Sequence, residues 1–303
     1  MIAGSSRQGL SARVSLLLAL LLLAGLVGCR MNEACYNRDG SRIIYMRPPL
    51  MKVVDELDER HQAVDTVVAR LNVTLKDHEK SKEYPLTGVY LGDKAGNLRL
   101  RITHSSNHVI LDLGFHGDTA DVHLPRKTRY FQGKKADLLT SSKCELSILA
   151  HAGRAADLFF PRAWSENALE RRVTYQNGRE VINVIEKPNF IKRRSRRLTM
   201  APESSSVELL EIYDKFGREV GTIEYGDYVF PDPEAEDPNA CPLLRPGKII
   251  LHAQDRSHSL EMEVEELVLN SAIAPEKFKV PLPENSKPLD LGQALKRGSS
   301  LWE

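Results

Sequence analysis

The first strong periodicity follows the proline pair Pro48-Pro49. Apolar residues recur there at spacings of three and four, and charged residues fill the positions between them. His61 falls on the apolar side, which favours a partly buried histidine over a catalytic one. The pattern predicts an amphipathic helix over residues 50–70 whose apolar face is formed by Leu50, Val53, Val54, Leu57, Val64, Val67, Val68 and Leu71.

From Leu71 onward the period changes to two, which predicts that the helix leads directly into a strand. Alternating runs follow at short intervals: Leu86–Leu91, Leu98–Ile102, His108–Gly114 and Asp121–Leu124. The polar breaks between them are too short for crossover helices, so the runs predict an antiparallel meander. Strict alternation predicts one buried and one solvent-exposed face for each strand.

Alternation is lost between Ala136 and Trp164, where leucine spacing predicts one or two short helices that end before Pro161. Strands then resume with a hairpin at Asn177-Gly178 and continue to Leu269. The predicted strands of this second meander are Arg172–Tyr175, Val181–Ile185, Arg197–Met200, Val207–Tyr213, Glu219–Tyr225, Gly247–Ala253 and Leu260–Leu269. The order of elements predicts a mainly β fold of the α+β class: an unclosed antiparallel β-barrel, or curved sheet, covered by an α lid.

The N-terminus carries a separate signal. Arg7 and Arg13 precede an apolar run of about fifteen residues, Val14–Gly28, which is shorter than the roughly twenty that span a bilayer. A signal peptide is therefore the favoured interpretation. The ending Leu26-Val27-Gly28-Cys29 resembles the bacterial lipobox and predicts cleavage before Cys29 and acylation of that residue, for example with palmitate. The alternative is a short uncleaved anchor with an incidental cysteine.

Lipidation at Cys29 would hold the mature protein on a membrane without a transmembrane helix. Arg30 follows the cysteine where an aspartate would favour inner-membrane retention, so we expect the periplasmic face of the outer membrane. The chain then divides into a signal peptide (1–28), the lipidated cysteine with a flexible tether (29–49), a half-barrel domain (50–290) and a C-terminal tail (291–303). The redox states of the remaining cysteines stay open: Cys35, Cys144 and Cys241.

Composition removes several function classes. The 42 basic and 41 acidic residues give a formal charge of +1, which argues against nucleic acid as a partner. The chain contains no nucleophile elbow, no HExxH helix, no phosphate-binding loop and no CxxC pair. We therefore expect neither an enzyme nor a cofactor.

Three local groups of residues leave alternatives open. The first group consists of Asp112, His116, Asp118, Asp121 and His123. These residues could bind zinc and thereby support a hydrolytic activity, but the favoured interpretation is a hairpin turn rich in Asp and Gly. The basic run Lys192–Arg197 fits either an anionic lipid surface or a strand edge protected by charge. The aromatic group Phe159, Phe160 and Trp164 fits either a cavity or an ordinary core.

Three segments together resemble the fold of LolA and LolB, the periplasmic carrier and outer-membrane receptor that escort bacterial lipoproteins: Val64–Leu75, Asn97–Arg126 and Pro246–Pro283. The resemblance covers residues 50–290. The lipobox and tether are closer to the receptor, although the receptor's loop with a protruding apolar residue has no clear counterpart. The carrier's lid-locking arginine has no assigned counterpart either; Arg99 and Arg101 lie in a suitable strand.

The resemblance implies an apolar cavity that binds acyl chains of lipids or lipoproteins and hands them over, with a periplasmic carrier protein as a possible partner. The candidate lining residues are Val64, Val67, Val68, Leu71, Leu98, Leu100, Ile102, Ile110, Phe159 and Phe160. The competing hypothesis is an envelope scaffold or protein-binding lipoprotein whose sheet is filled by its own side chains. Alternation predicts a dry inner face in both cases.

Overall fold

The structure, a computed structural model, describes residues 35–36, 42–43, 48–139, 146–151, 156–163, 168–177, 179–186, 193–201, 206–214, 216–229, 243–254, 256–284 and 286–296. The predicted signal peptide, Cys29, Cys144, Trp164, Lys192 and Cys241 lie outside these residues, as does most of the predicted tether. Within the described ranges, none of the helices has both the length and the apolar character needed to span a bilayer.

The described elements alternate little between helix and strand. In chain order they are β1 (Cys35–Tyr36), β2 (Arg42–Ile43), α1 (Pro48–Gln62), β3 (Thr66–Asp77), β4 (Lys82–Asp93), β5 (Leu98–Thr103), β6 (Val109–His116), β7 (Thr119–Leu124), a 3₁₀ turn (Pro125–Lys127), β8 (Arg129–Lys134), α2 (Lys135–Leu139), α3 (Leu146–His151), α4 (Ala156–Phe159), β9 (Ala168–Gln176), β10 (Arg179–Glu186), β11 (Arg193–Met200), β12 (Val207–Tyr213), β13 (Glu219–Gly226), β14 (Lys248–Ala253), β15 (His258–Leu269), a second 3₁₀ turn (Pro275–Phe278), β16 (Leu289–Asp290) and α5 (Leu291–Lys296).

All described strands belong to one curved sheet in the order β1-β2-β9-β10-β11-β12-β13-β14-β15-β3-β4-β5-β6-β7-β8-β16. Each meander pairs consecutive strands antiparallel, and β15 joins them by pairing antiparallel with β3. The pairing between β8 and β16 is parallel. Because β1 and β16 end the order without meeting, the sheet is unclosed, and the predicted mainly β half-barrel with helices is confirmed.

The first helix is shorter than predicted. It ends at Gln62, Val64 follows it, and Val67, Val68 and Leu71 belong to β3. The prediction that the helix extends to residue 70 was wrong, because the apolar spacing of three and four continues by coincidence from the helix into β3. Consecutive β-branched valines favour extended backbone, and in β3 Val67 and Leu71 face the core while Val68 faces outward.

The inner face of the sheet carries a continuous core, covered by α1 and the helical insert. Leu98, Leu100 and Ile102 of β5 point into it, whereas Arg99 and Arg101 point to the outer face. The insert contains three short helices in the described residues, α2 to α4, rather than one or two. Each supplies buried apolar side chains: Leu138, Ile148, Leu149, Leu158 and Phe159.

The outer face is not fully solvated, contrary to the prediction for alternating strands. The segment 275–283, here called the strap, lies across β5 to β8 and buries Phe278 and Val280. The guanidinium of Arg99 donates a hydrogen bond to the carbonyl of Lys277 at 3.1 Å. The hydroxyl of Tyr130 donates one to the carbonyl of Val280 at 3.2 Å. The strap therefore gives this part of the sheet a second covered face.

Gly114 sets how closely the strap approaches the sheet. A Cβ atom at Gly114 would lie 2.6 Å from the carbonyl oxygen of Phe278 and 2.9 Å from Cγ2 of Val280. We expect Gly114→Ala to lower the free energy of unfolding by about 1–3 kcal/mol, because the strap must shift. Urea denaturation measures this. Gly226→Ala is the control, since a Cβ there meets no atom within 4 Å; equal effects of both substitutions would refute the role of Gly114.

Candidate functional site

The predicted lining residues lie mostly inside a packed core. Eight of them are 3% exposed or less: Val64, Val67, Leu71, Leu98, Leu100, Ile102, Phe159 and Phe160. Val68 and Ile110 are partly exposed, Val68 on the outer face of β3. The burial of these eight residues agrees with a dry inner face. That any of the ten binds lipid stays a prediction.

The space beneath α1 is filled. Among the described residues, a void of about 10 Å³ lies between this helix and the aromatic residues of the insert, beside Leu57, Phe159 and Phe160. That volume is close to the minimum that holds one water molecule. The Phe159 ring packs edge-on against Tyr90 with centroids 5.1 Å apart. An acyl chain has no room here in this conformation.

A larger cavity, here called the mouth cavity, lies at one end of the half-barrel, where the β3–β4, β5–β6 and β14–β15 turns meet the first 3₁₀ turn. Its volume is about 390 Å³, within the roughly 300–1,000 Å³ of small-molecule sites. Its apolar wall consists of Leu75, Tyr84, Pro85, Leu86, Ile110 and Leu124. Its polar rim consists of Asp77, Glu79, Lys80, His104, Arg126, Lys127 and His258.

Strand ends supply the apolar wall, and the strand pattern explains why. Leu75 and Leu86 pack on the inner face at the turn between β3 and β4, and Leu124 ends β7. A β-bulge between Ile102 and Thr103 breaks the register with β6, and Ile110 lies in the irregular stretch. Of these wall residues, only Ile110 was among the candidate lining residues predicted from the sequence. The available signal was the apolar residue at each strand end beside a polar turn.

The rim is ordered by a local ion pair. Asp77 is 6% exposed and accepts hydrogen bonds from the backbone amide of Lys80 at 2.9 Å and from its Nζ at 3.0 Å. These bonds, the backbone one first, hold the pKa of Asp77 below its ordinary value. The hydrogen bond to Asp77 in turn raises the pKa of Lys80. The β3–β4 turn at the cavity entrance is thereby fixed.

A buried ionic cluster, consisting of His61, Asp157, Arg162 and Arg196, lies away from the mouth cavity. The fully buried carboxylate of Asp157 is 2.5 Å from Nε2 of His61 and 3.2 Å from guanidinium nitrogens of both Arg162 and Arg196. Burial by itself raises the pKa of Asp157, but Arg196, His61 and Arg162 outweigh it and hold this pKa below its ordinary value. The cluster connects α1, the insert and the sheet.

The cluster also corrects the interpretation of the basic run. β11 lies between β10 and β12, so of the two alternatives for the basic run the charge-protected strand edge is wrong. Arg196 is 8% exposed and engaged with Asp157, and Arg197 lies 3.2 Å from Glu211. The predicted burial of His61 is confirmed at 5% exposure. Sequence reasoning did not identify Asp157, because two of its partners, Arg196 and His61, are 39 and 96 residues away.

The predicted zinc candidates make other contacts. Asp112 forms two hydrogen bonds with Arg99, at 2.9 and 2.8 Å. His116 lies 2.9 Å from Asp121. Across the part of the chain that the structure describes, no three His, Cys, Asp or Glu residues are grouped as metal ligands. The hairpin between β6 and β7 accounts for the local acidic and glycine residues.

Comparison with known proteins gives structural likenesses only. No protein-family model and no curated protein sequence matches the chain. Among solved structures, the chain is similar to a LolA superfamily protein from Nitrosomonas europaea, with a TM-score of 0.47 and 14% identity over 76% of this chain and 97% of that one. It is also similar to a domain assigned to outer membrane lipoprotein sorting from Vibrio parahaemolyticus, with a TM-score of 0.44 and 12% identity over 75% and 95% of the two chains.

A DUF1329 family protein from Desulfovibrio piger gives a TM-score of 0.47 at 8% identity over 77% of this chain and 98% of that one. At such identities and TM-scores these likenesses carry no argument about what this chain binds.

Proposed function

We propose that the protein is an envelope lipoprotein that binds an acyl chain of a lipid or lipoprotein in the mouth cavity. The observation that carries the proposal is a cavity of about 390 Å³ whose apolar wall is formed by aliphatic side chains and one tyrosine at strand ends. Transfer of an acyl chain from water to such a wall is favourable by about 0.8 kcal/mol per buried methylene. Binding and release then require no covalent step.

The cavity position also favours exchange of ligand. Tyr84 at its edge is 43% exposed, so the cavity communicates with solvent in the described conformation. The helices pack on the filled core elsewhere, and ligand entry therefore does not require α1 to leave the sheet. This proposal replaces the ten-residue lining suggested by sequence with the wall of the mouth cavity, which retains Ile110.

The proposed anchor rests on the sequence. A lipobox-like ending before Cys29 supports acylation there. Part of the segment predicted as a tether forms β1 and β2 of the sheet, so only the residues between Cys29 and β1 would separate the lipid from the domain. Arg30 supports the outer membrane as the site of anchorage. In this arrangement the protein receives acyl chains at the periplasmic face, from the membrane or from a periplasmic carrier protein.

Ile110→Asp tests the cavity. We expect it to lower uptake of a fluorescent fatty acid at least about ten-fold, because a carboxylate would be placed against the acyl chain and lose hydration on binding. Fluorescence titration of the full chain measures uptake. Val89→Asp is the matched control, since Val89 is 46% exposed on the outward side of β4. Equal uptake by both variants and the unmodified chain would contradict the proposed cavity.

A scaffold with a filled core is the second candidate function. The void of only about 10 Å³ beneath α1 favours it for that part of the molecule. The same fluorescence titration distinguishes the acyl-chain binder from the scaffold. If the unmodified chain takes up no fatty acid and native mass spectra show no bound lipid, the scaffold is favoured. Such a scaffold would act by binding proteins.

A further inference from the structure

A second cavity lies on the opposite side of the sheet and depends on the strap. This outer groove has a volume of about 590 Å³ and runs between the β5–β6 hairpin and the strap. Pro281, Leu282 and Pro283 form its apolar lip, and Leu282 is 50% exposed. A solvated outer sheet face would not enclose such a volume, so the groove exists because the strap crosses the sheet.

The groove is basic. Arg99, Arg101 and Arg126 line it, and Asp112 is its acidic residue. Arg99 and Asp112 neutralise each other through their two hydrogen bonds. Arg101 and Arg126 are exposed and form no ion pair within the described residues. Two guanidinium groups therefore face the groove without an acidic counterpart in the described chain.

Two histidines beside the arginines add no negative charge to the groove. His108 and His123 also line the groove. Burial lowers the pKa of His123, Asp112 opposes that effect, and the positive charge of Arg101 lowers the pKa further.

One residue connects the groove with the mouth cavity. Arg126 lies in the first 3₁₀ turn and lines both spaces. On its inner side the turn meets the apolar wall at Leu124, and on its outer side it meets the basic groove beside Pro125. A molecule with an apolar chain in the mouth cavity and an anionic group at Arg126 would satisfy both surfaces.

We propose that the acyl ligand carries a phosphate head group, which is bound by Arg126 where this residue lines both spaces and by Arg101 in the outer groove, while the acyl chain occupies the mouth cavity. This inference rests on the proposed function and adds the head-group chemistry. Guanidinium groups bind phosphate oxygens through paired, charge-assisted hydrogen bonds. A neutral acylglycerol with the same chain makes no such bond and leaves both arginines without a counter-ion.

The experiment compares two photoreactive probes that differ only in head group. The full chain is reconstituted in vesicles of an uncharged galactolipid, which supplies no competing phosphate. Monoacylglycerol phosphate and monoacylglycerol, each with a diazirine in the acyl chain, are cross-linked, and labelling of the peptide containing Ile110 is quantified by mass spectrometry. Each probe is measured with the unmodified chain, with Arg101→Gln/Arg126→Gln and with Arg129→Gln, an exposed arginine outside both cavities.

We expect the double substitution to lower the phosphate-to-neutral labelling ratio about ten-fold or more, because each lost charged hydrogen bond weakens binding substantially. Arg129→Gln should leave the ratio unchanged. Equal ratios in all three proteins, with the peptide still labelled, would overturn the head-group inference and leave acyl binding intact. Failure of both probes to label the peptide would instead overturn the proposed function.

A further arm distinguishes lipid phosphate from free phosphate. Inorganic phosphate at the concentration of the acyl phosphate probe should not reduce labelling, since it lacks the chain that the mouth cavity buries. Complete competition by inorganic phosphate would show a free-anion site and overturn the assignment to a lipid.

Discussion

Replacing Asp157 with alanine is expected to lower the free energy of unfolding by about 3–5 kcal/mol. The carboxylate is fully buried and contacts His61, Arg162 and Arg196. Its removal takes the shared carboxylate away from two largely buried arginine side chains, and water cannot replace it at low cost. Since whole domains are stable by only about 5–15 kcal/mol, urea denaturation should show a large shift in midpoint.

Asp55→Ala is the matched control, because Asp55 is an exposed residue of α1, and we expect a change within about 0.5 kcal/mol. An effect of Asp157→Ala as small as that of the control would refute the cluster's role.

Measuring the unfolding free energy of Asp157→Asn over a pH series adds a second check. The pKa of Asp157 is lowered in the folded state, so its contribution is fully present above the unfolded value of about 3.9 and is lost as pH falls through the folded value. The difference in unfolding free energy between Asp157→Asn and the unmodified protein should therefore narrow only below about pH 4.

Phe159→Ala is expected to cost about 3–5 kcal/mol of unfolding free energy. The ring is 1% exposed, packs edge-on against Tyr90 and adjoins a void of only about 10 Å³. Truncation removes this packing and leaves a cavity that rigid neighbouring strands cannot close. The same denaturation experiment measures the loss.

Phe216→Ala provides the comparison, because Phe216 is 58% exposed and its truncation should change stability by no more than about 0.5 kcal/mol. The result also decides between two interpretations of Phe159. A cost below about 1 kcal/mol for Phe159→Ala, together with altered fatty-acid uptake, would show that the ring lines a ligand space rather than a filled core.

The strand pattern was predictable from local sequence because alternation with period two records which side chains a sheet buries. The predicted runs Leu98–Ile102 and Val207–Tyr213 lie in β5 and β12, and the hairpin at Asn177 joins β9 to β10. The end of α1 was not predictable in this way. Apolar residues on both sides of Gln62 pack into one core, so their spacing does not reveal where the helix stops.

The candidate site was predictable only in part. Ile110 was named from its strand, but its place in the mouth cavity depends on a bulge and on turns distant in sequence. The position of the strap could not be predicted for the same reason. Segment 275–283 covers Gly114, which lies more than 150 residues earlier, and the local sequence of neither segment indicates the contact.

By itself, the sequence determined most of the strand pattern and the dry inner face, because these follow from hydrophobic periodicity within each element. The short breaks between strands indicated their antiparallel pairing. Only the tertiary structure decided which part of the inner face is filled and where a cavity remains. It also paired Asp157 with Arg196 across 39 residues and placed Arg101 and Arg126 at one groove. These features depend on how elements distant in sequence pack together, and periodicity within one element contains no information about its partners.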